Sequence, residues 1–262
     1  MKVTDYIYRV VSRLWFWLAA RNTLGYGIHS PYLYYIVRFL FYDDNTYYCF
    51  TSIERERDRL LRATKTLDVT DYGTGVTGKR SVKDIARTSL ASRKEAQLLF
   101  RLVNFLQPRC SVELGTSLGI TASYIASASS KICLTTIEGS ENIAAEAQKV
   151  FEKLRLKNIR QVVGNIDVCL PQFLKEADVV DFAFLDANHT EKATLRYFMQ
   201  LLPHCGQKTV LVLDDIHYSV GMNNAWRAIC RLPEVTAAMD LWDLGIVFFN
   251  KQLEKRIYKI RI

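Results

Sequence analysis

The sequence predicts an α/β protein built on a doubly wound, mostly parallel sheet. Past Pro108, short apolar runs alternate with segments of helical periodicity. Runs that are apolar on both faces are typical of parallel strands covered by helices on each side. The last two runs are joined by a short connection, which predicts an antiparallel hairpin at the edge of the sheet.

Seven strands are predicted in this part of the chain. They are "CSVEL" at 110–114, "ICLTTI" at 132–137, "IRQVVG" at 159–164, "VVDFAFLD" at 179–186, "TVLVLDD" at 209–215 and two runs within "EVTAAMDLWDLGIVFFN" at 234–250. Helical segments lie between them, namely "TASYIASAS", "NIAAEAQKVFEKL", "CLPQFLKEA" and "TLRYFMQLL". This alternation predicts one Rossmann-like domain over residues 91–262.

Residues 1–90 are predicted to form a helical appendage that serves as a lid or as an oligomer contact. Residues 3–20 place apolar side chains at helical spacing, with Arg9 and Arg13 on another side. This pattern predicts an amphipathic helix. Such a helix could pack on its own domain, on a partner subunit of a homo-oligomer, or on a membrane surface.

The remainder of the region before Pro108 is also predicted to contain only helices and loops. The predicted helices are 31–41, with Ser30 as N-cap and Pro31 at the first position, then 51–66, and two more within 81–106. Serine before proline at a helix start matches the preferences of these positions.

Composition indicates a globular protein of a reducing compartment. The chain has 262 residues and is 49% hydrophobic, which is enough for a sizeable core. Its six cysteines form no C-x-x-C pair, so neither disulfides nor a zinc framework are expected and a cytoplasmic location is predicted. The longest apolar runs fall short of the ~20 residues that span a bilayer.

The net charge of +8 is concentrated in the first hundred residues, which carry six of the eight charges. Such a bias could favour nucleic acid, an anionic membrane or an acidic substrate. The basic residues are scattered among acidic ones, as on an ordinary solvated face, and no nucleic-acid partner is expected.

Two glycine-containing stretches could hold a nucleotide: "DYGTGVTG" at 71–78 and "ELGTSLG" at 113–119. A nucleotide loop lies between an apolar strand and a helix N-terminus. Only the second has both neighbours, with "CSVEL" before it and "TASYIASAS" behind it. The stretch at 71–78 is instead predicted to be a loop of the appendage that could cover a bound substrate.

Two acidic residues refine the prediction for the second loop. Glu138 ends the next apolar run, where dinucleotide folds place the acid that binds ribose hydroxyls ~20 residues after the loop. The loop lacks the third glycine expected under a pyrophosphate, so NAD is disfavoured. Glu113 before the turn suits a positively charged or hydroxyl-bearing ligand better than a phosphate.

These residues resemble the class I S-adenosylmethionine-dependent methyltransferases, whose first loop is the E-x-G-x-x-x-G pattern seen as "ELGTSLG". The resemblance covers about residues 90–250 and includes, in order, "TIEGS", "GNID" and "FLDANH" after the second, third and fourth strands. It implies S-adenosylmethionine as cofactor and methyl transfer as the reaction.

The resemblance assigns cofactor binding to residues after the first four strands. They are Glu113, Gly115, Thr116, Ser117, Gly119, Glu138, Gly139, Asn165, Ile166 and Asp186. The glycine loop would pass the methionine part of the cofactor, and Glu138 would bind the ribose hydroxyls. Asn165 and Ile166 would border the adenine.

The later motifs look most like the catechol-type, metal-assisted O-methyltransferases. "DANH" at 186–189 and "DDIH" at 214–217 stand where that group carries oxygen ligands. The resemblance therefore implies a Mg²⁺, Ca²⁺ or Mn²⁺ site at Asp186, Asp214 and Asp215, where the ion would lower the pKa of a substrate hydroxyl.

His189 stands where the group has its lysine base, so His189 and Asp186 are predicted to be catalytic. Histidine for lysine at position 189 and aspartate for asparagine at 215 depart from the group's pattern. These departures leave open a reaction that uses His189 and His217 without a metal.

We expect O-methylation of a small hydroxylated acceptor such as a phenol or catechol. An RNA, DNA or protein methyltransferase and a non-catalytic S-adenosylmethionine-binding module are the alternatives. The N/D-P-P-Y stretch used on flipped bases is absent after the fourth strand, where "DANH" stands, which disfavours nucleic acid.

Overall fold

A computed structural model describes residues 3–70 and 77–262 of the protein. The chain divides into two compact units. The discontinuous unit combines Met1–Asp43 with Asp178–Ile262, and the central unit is Asp44–Ala177.

The described residues contain ten α-helices and ten strands. The helices are α1 (Val3–Ala19), α2 (Pro31–Tyr35), α3 (Phe50–Leu61), α4 (Val82–Ser89), α5 (Arg93–Leu106), α6 (Ile120–Ser127), α7 (Glu141–Lys153), α8 (Ile166–Glu176), α9 (Glu191–Leu201) and α10 (Val220–Arg231). The strands are β1 (Thr66–Thr70), β2 (Thr77–Ser81), β3 (Cys110–Leu114), β4 (Cys133–Glu138), β5 (Ile159–Val163), β6 (Val180–Leu185), β7 (Cys205–Leu213), β8 (Ala237–Asp240), β9 (Gly245–Phe248) and β10 (Arg256–Lys259).

Eight of these strands, β3 to β10, form a mostly parallel sheet with helices on both sides, which confirms the predicted fold class. The sheet has one strand more than the seven predicted. The additional strand, β10, pairs in parallel with β8, so the β8–β9 hairpin forms as predicted but is not the edge. The sequence "RIYK" does not reveal this strand, because Tyr258 is its one buried side chain and a single buried position gives no alternating pattern.

The region before Pro108 also differs from the prediction, because it contains two strands. β1 and β2 pair in antiparallel register, from Thr66 opposite Ser81 to Thr70 opposite Thr77. Leu67 and Val69 are buried on one face of β1, and this two-residue alternation is too short to stand out in the sequence. Residues 71–76 of the predicted glycine loop lie outside the described residues.

The predicted helices of this region are otherwise found, with shorter bounds. Ser30 caps α2 as predicted, since its Oγ accepts from the backbone N–H of Leu33 at 3.4 Å. α2 continues as a π-helical segment at Ile36–Phe41, and α3 ends at Leu61 rather than at residue 66. No helix in the described ranges is long and apolar enough to cross a membrane.

In the central unit, β3, β4 and β5 run parallel and in this order. Between β3 and β4 lies α6, whose eight residues are all buried. Parallel strands end at a common edge, so the segments after Leu114, Glu138 and Val163 lie side by side. This edge carries the predicted cofactor loop.

In the discontinuous unit, β6 and β7 are parallel neighbours, and β9, β8 and β10 follow on the far side of β7. α1 packs in this unit because Phe16 and Ala20 are buried in one cluster with Trp242. The backbone N–H of Asn22 donates to the carbonyl of Lys259 at 3.1 Å. The described residues up to Asp43 thus belong to the same unit as the C-terminal strands, and the predicted boundary at residue 90 stays a prediction.

Candidate active site

The turn between β3 and α6 is held against the end of β4. The backbone N–H groups of Gly115 and Thr116 both donate to the carbonyl of Ile137, at 3.0 and 3.2 Å. Gly115, Ser117 and Gly119 have φ of 97°, 47° and 79°, which lie in the left-handed region. Such a turn brings successive backbone amides to the start of a helix, where a ligand can contact main chain directly.

Gly119 is required by packing as well as by its backbone angle. A Cβ built at this position would lie 2.7 Å and 2.9 Å from two ring atoms of Phe151 and 3.0 Å from the Cβ of Ala147. The glycine therefore permits the close approach of α6 to α7 directly beneath the predicted cofactor loop.

Replacing Gly119 with alanine is expected to lower the free energy of unfolding by about 2–4 kcal/mol, from the positive φ and the overlap with Phe151. Urea unfolding measures this change. Gly206→Ala is the matched control, because a Cβ there would meet only Val179 Cγ1 at 3.6 Å. Adding Phe151→Leu to Gly119→Ala should recover part of the loss, and equal stability of Gly119→Ala and wild type would contradict the packing argument.

Glu138 anchors the cofactor loop through its carboxylate. Its Oε2 accepts from the N–H of Ser117 at 2.8 Å, and its Oε1 accepts from the N–H of Ser140 at 3.0 Å. These bonds fix the half-buried carboxylate at the carboxyl end of β4. A carboxylate oxygen can accept more than one hydrogen bond, so this geometry fits a group that also accepts from ribose hydroxyls.

Glu113 is fully buried, with 0% exposure, beneath the same loop. The hydroxyl of Thr136 donates to Glu113 Oε2 at 2.5 Å, and Thr136 Oγ1 lies 2.5 Å from Thr116 Oγ1. Since the one hydroxyl hydrogen of Thr136 is directed to Glu113, Thr116 donates to Thr136. These two hydrogen bonds tie the loop to β3 and β4. A direct contact of Glu113 with the cofactor stays a prediction.

The remaining predicted cofactor residues of the central unit lie after β4 and β5. Gly139 is half-buried and directly follows β4. Asn165 caps α8 by accepting from the N–H of Asp167 at 2.9 Å, and Ile166 is buried. All nine predicted cofactor residues of the central unit therefore lie at the carboxyl ends of its parallel strands.

Ser89 is a neighbour of this loop that the sequence motifs do not reveal. Its Oγ lies 2.7 Å from the Oγ of Ser117. It is the last residue of a short charged helix with no spacing pattern of its own, so only the folded chain brings it to the loop.

The second group of predicted residues lies in the discontinuous unit, after the parallel strands β6 and β7. His189 Nε2 is 3.4 Å from Asp186 Oδ1, and His189 Nδ1 is 3.8 Å from Asp215 Oδ2. Asn188, His189 and Asp215 all have positive φ, of 61°, 25° and 53°. Tight turns thus place one imidazole between two carboxylates.

The pKa of His189 is raised above its ordinary value. Burial by itself lowers the pKa of the imidazole, but the hydrogen bond and charge of Asp186, with the charge of Asp215, outweigh this effect. A histidine in this setting can accept a proton near neutral pH and retain it between two negative groups.

Arg9 of α1 reaches the same group, although the sequence indicated only that it lies on a polar side of the helix. Its Nη2 is 3.9 Å from Asp215 Oδ1 and 3.5 Å from Asp243 Oδ1. The guanidinium carbon lies 5.6 Å from the ring centre of Tyr218. Arg9 and Asp243 have no motif around them, and an alignment of homologues would be the signal needed to find them.

The predicted divalent ion does not fit this arrangement. Among the described residues, no three His, Cys, Asp or Glu side chains are grouped so that they could hold a metal ion. His189 and Arg9 instead contact Asp215, and the N–H of Asp214 donates to the carbonyl of Leu185 at 3.0 Å. A guanidinium and an imidazole thus already contact Asp215, one of the predicted ion ligands.

His217 is a packing residue and not part of the His189 group. Its Nε2 lies 3.0 Å from Asp240 Oδ2, and the amide of Asn223 donates to its Nδ1 at 2.8 Å. The ring stacks on Trp242 with 4.6 Å between centroids, and only 8% of the residue is exposed. Both ring nitrogens are thus directed to core partners, which argues against the open alternative of a catalytic His217.

Replacing His217 with alanine is expected to destabilise the protein by about 2–4 kcal/mol, because buried Asp240 loses a hydrogen-bond partner and Trp242 loses its stacked ring. Thermal and urea unfolding measure the change. His29→Ala is the control, since His29 is exposed and should shift stability by at most ~0.5 kcal/mol. A loss of the same small size for His217→Ala would contradict the packing role.

Residues 112–216 match a family model described as a methyltransferase domain. A comparison with curated proteins found no match. The match extends from β3 to the segment after β7, and so includes both groups of residues described above. The chain therefore carries a methyltransferase domain with a Rossmann-like fold, which confirms the resemblance seen in the sequence motifs.

Solved structures with a similar fold include two bacterial enzymes. One is the O-methyltransferase TomG from Streptomyces achromogenes, involved in tomaymycin synthesis and solved with S-adenosylmethionine, at 20% identity and a TM-score of 0.54 over 62% of this chain and 82% of that chain. The other is the O-methyltransferase from Bacillus cereus with S-adenosylhomocysteine, at 18% identity and a TM-score of 0.58 over 78% of this chain and 92% of that chain.

Proposed function

We propose that this protein is an S-adenosylmethionine-dependent methyltransferase that methylates an oxygen of a small hydroxylated acceptor, phenolic or catechol-like. The observation that carries the proposal is the "ELGTSLG" turn, whose Ser117 amide is bound by Glu138 at the end of the next parallel strand. The family match over residues 112–216 and the two neighbouring O-methyltransferases support it.

The central unit would bind the cofactor. Glu138 would accept hydrogen bonds from the ribose hydroxyls, and the amides of the turn at 115–119 would contact the methionine part. Asn165 and Ile166 would border the adenine. S-adenosylmethionine, when bound, supplies a sulfonium methyl group for transfer to the acceptor oxygen and leaves as S-adenosylhomocysteine.

His189 would act as general base on the acceptor hydroxyl. Its imidazole would take the hydroxyl proton while the oxygen gains the methyl group. The proton lost by the acceptor would then be on His189. Asp186 and Asp215, at 3.4 and 3.8 Å from the two ring nitrogens, would orient the ring and stabilise its protonated form. No step of this scheme uses a metal ion.

Methyl transfer from isotopically labelled cofactor tests the proposal. The purified chain would be incubated with a panel of phenols and catechols, an RNA oligonucleotide and a protein extract, and the labelled products identified by mass spectrometry. We expect a methyl ether of a small phenol or catechol. Label on a nitrogen, or on RNA or protein alone, would overturn the proposal.

We also propose a location, a class of acceptor and an oligomer contact for this enzyme. We place the enzyme in the cytoplasm, with a small-molecule rather than nucleic-acid acceptor, and with the N-terminal helices as a contact in a homo-oligomer. The exposed apolar side chains of α1, among them Leu14, Trp15 and Leu18, support the oligomer contact.

A further inference from the structure

We propose that Arg9 supplies, from the N-terminal helix, the positive charge that catechol-type methyltransferases obtain from a divalent ion, so that the protein works without a metal. The part of this inference that concerns catalysis rests on the proposed function. The part that concerns metal binding does not, because it follows from the arrangement of charged side chains alone.

Three carboxylates and two basic side chains form a connected group in the discontinuous unit. Asp186, Asp215 and Asp243 are the acids, and His189 and Arg9 are the bases. Asp215 is common to both bases, with His189 Nδ1 at 3.8 Å from one of its oxygens and Arg9 Nη2 at 3.9 Å from the other.

A divalent ion at Asp215 would therefore lie beside a guanidinium charge. Arginine is the side chain with the most persistent positive charge in proteins, so this charge is not lost to admit an ion. Mutual repulsion between the guanidinium and the ion would thus weaken binding of the ion.

The position of Arg9 is set by the packing of α1. Phe16 is seven residues further along the helix, two turns on, and so lies on the same face as Arg9. Phe16 is buried against the rings of Trp242 and His217, with centroids 5.4 and 6.0 Å away. Arg9 is further held over Tyr218, whereas Arg13 is exposed. One helix face therefore delivers a fixed positive charge to Asp215.

The role assigned to Arg9 is that of a positioning residue. Its charge balances Asp215, which in turn contacts the proposed base His189. A fixed positive charge beside Asp215 thus takes the electrostatic place that a metal ion has elsewhere.

Titration with MnCl₂, followed by electron paramagnetic resonance and calorimetry, tests the inference without an acceptor. Wild type should show no saturable site below about 1 mM, a level typical of weak oxygen-ligand sites. Arg9→Ala should bind Mn²⁺ at least tenfold more tightly than wild type. Arg13→Ala, which removes the same charge one helical turn away, should behave like wild type, as should Arg9→Lys, which keeps the charge.

Two results would overturn the inference: saturable Mn²⁺ binding by wild type that is lost in Asp215→Asn, or equal Mn²⁺ affinity of Arg9→Ala and wild type. Circular dichroism melting of each variant shows that it is folded, and Arg9→Gln provides a second neutral variant if Arg9→Ala is not. Failure of the proposed function would instead appear as an absence of S-adenosylhomocysteine binding, which is a separate titration.

Discussion

Glu138→Ala is expected to weaken binding of S-adenosylhomocysteine by at least about 100-fold. Each hydrogen bond from a ribose hydroxyl to a carboxylate contributes about 1.5–3 kcal/mol, and two such bonds are lost. The variant also removes the acceptor that holds the Ser117 amide at 2.8 Å, so the turn itself is loosened. Isothermal titration calorimetry of wild type and variant measures the difference.

Glu141→Ala is the matched control for this variant. Glu141 is an exposed carboxylate in the first turn of α7, three residues further along, so the change removes the same charge near the same edge of the sheet. Its affinity for S-adenosylhomocysteine should stay within about threefold of wild type, an effect below 1 kcal/mol. Equal losses in the two variants would mean that charge in general, and not the position of Glu138, determines binding.

His189→Ala is expected to lower the rate of methyl transfer by about 10²- to 10⁴-fold, the usual contribution of a general base. Affinity for S-adenosylhomocysteine should stay close to that of wild type, because the proposed cofactor residues of the central unit are unchanged. Single-turnover kinetics with labelled cofactor measure the rate. His204→Ala, which removes a histidine from a different turn of the chain, serves as the control. A rate within threefold of wild type would exclude His189 as the base.

The same residue should set the pH dependence of the reaction. The pKa of His189 is raised, so the ring keeps its proton to a higher pH than an ordinary histidine, and kcat should fall as pH is lowered through that pKa. Asp186→Asn removes the hydrogen bond and charge that raise the pKa, so the acidic limb should move to lower pH. The ring proton shift of His189 by NMR measures the pKa directly, and an unchanged or higher value in Asp186→Asn would contradict this assignment.

The strands and loops of the methyltransferase domain could be predicted because their signals are local. β3 is predicted residue for residue at 110–114, since five residues of buried strand stand between Pro108 and a glycine turn. Glu138 is found from its distance to that turn. These features depend on residues that are close together in the sequence.

Features that depend on long-range contacts could not be predicted. β10 has only Tyr258 buried and pairs with β8 about twenty residues earlier, while β1 and β2 are short and mostly polar. Arg9 meets Asp215 and Asp243 only because α1 packs on Trp242, over two hundred residues away in the chain. Hence the sequence did not reveal the arginine that lies beside Asp215, one of the predicted metal ligands.

Calorimetric titration of the purified chain with S-adenosylhomocysteine, and separately with NAD, determines which cofactor the turn at 115–119 holds. The methyltransferase assignment predicts that one S-adenosylhomocysteine binds per chain, that S-adenosylmethionine competes for the same site, and that NAD gives no saturable heat. Binding of NAD without binding of S-adenosylhomocysteine would contradict it, because the turn at 115–119 would then hold a dinucleotide.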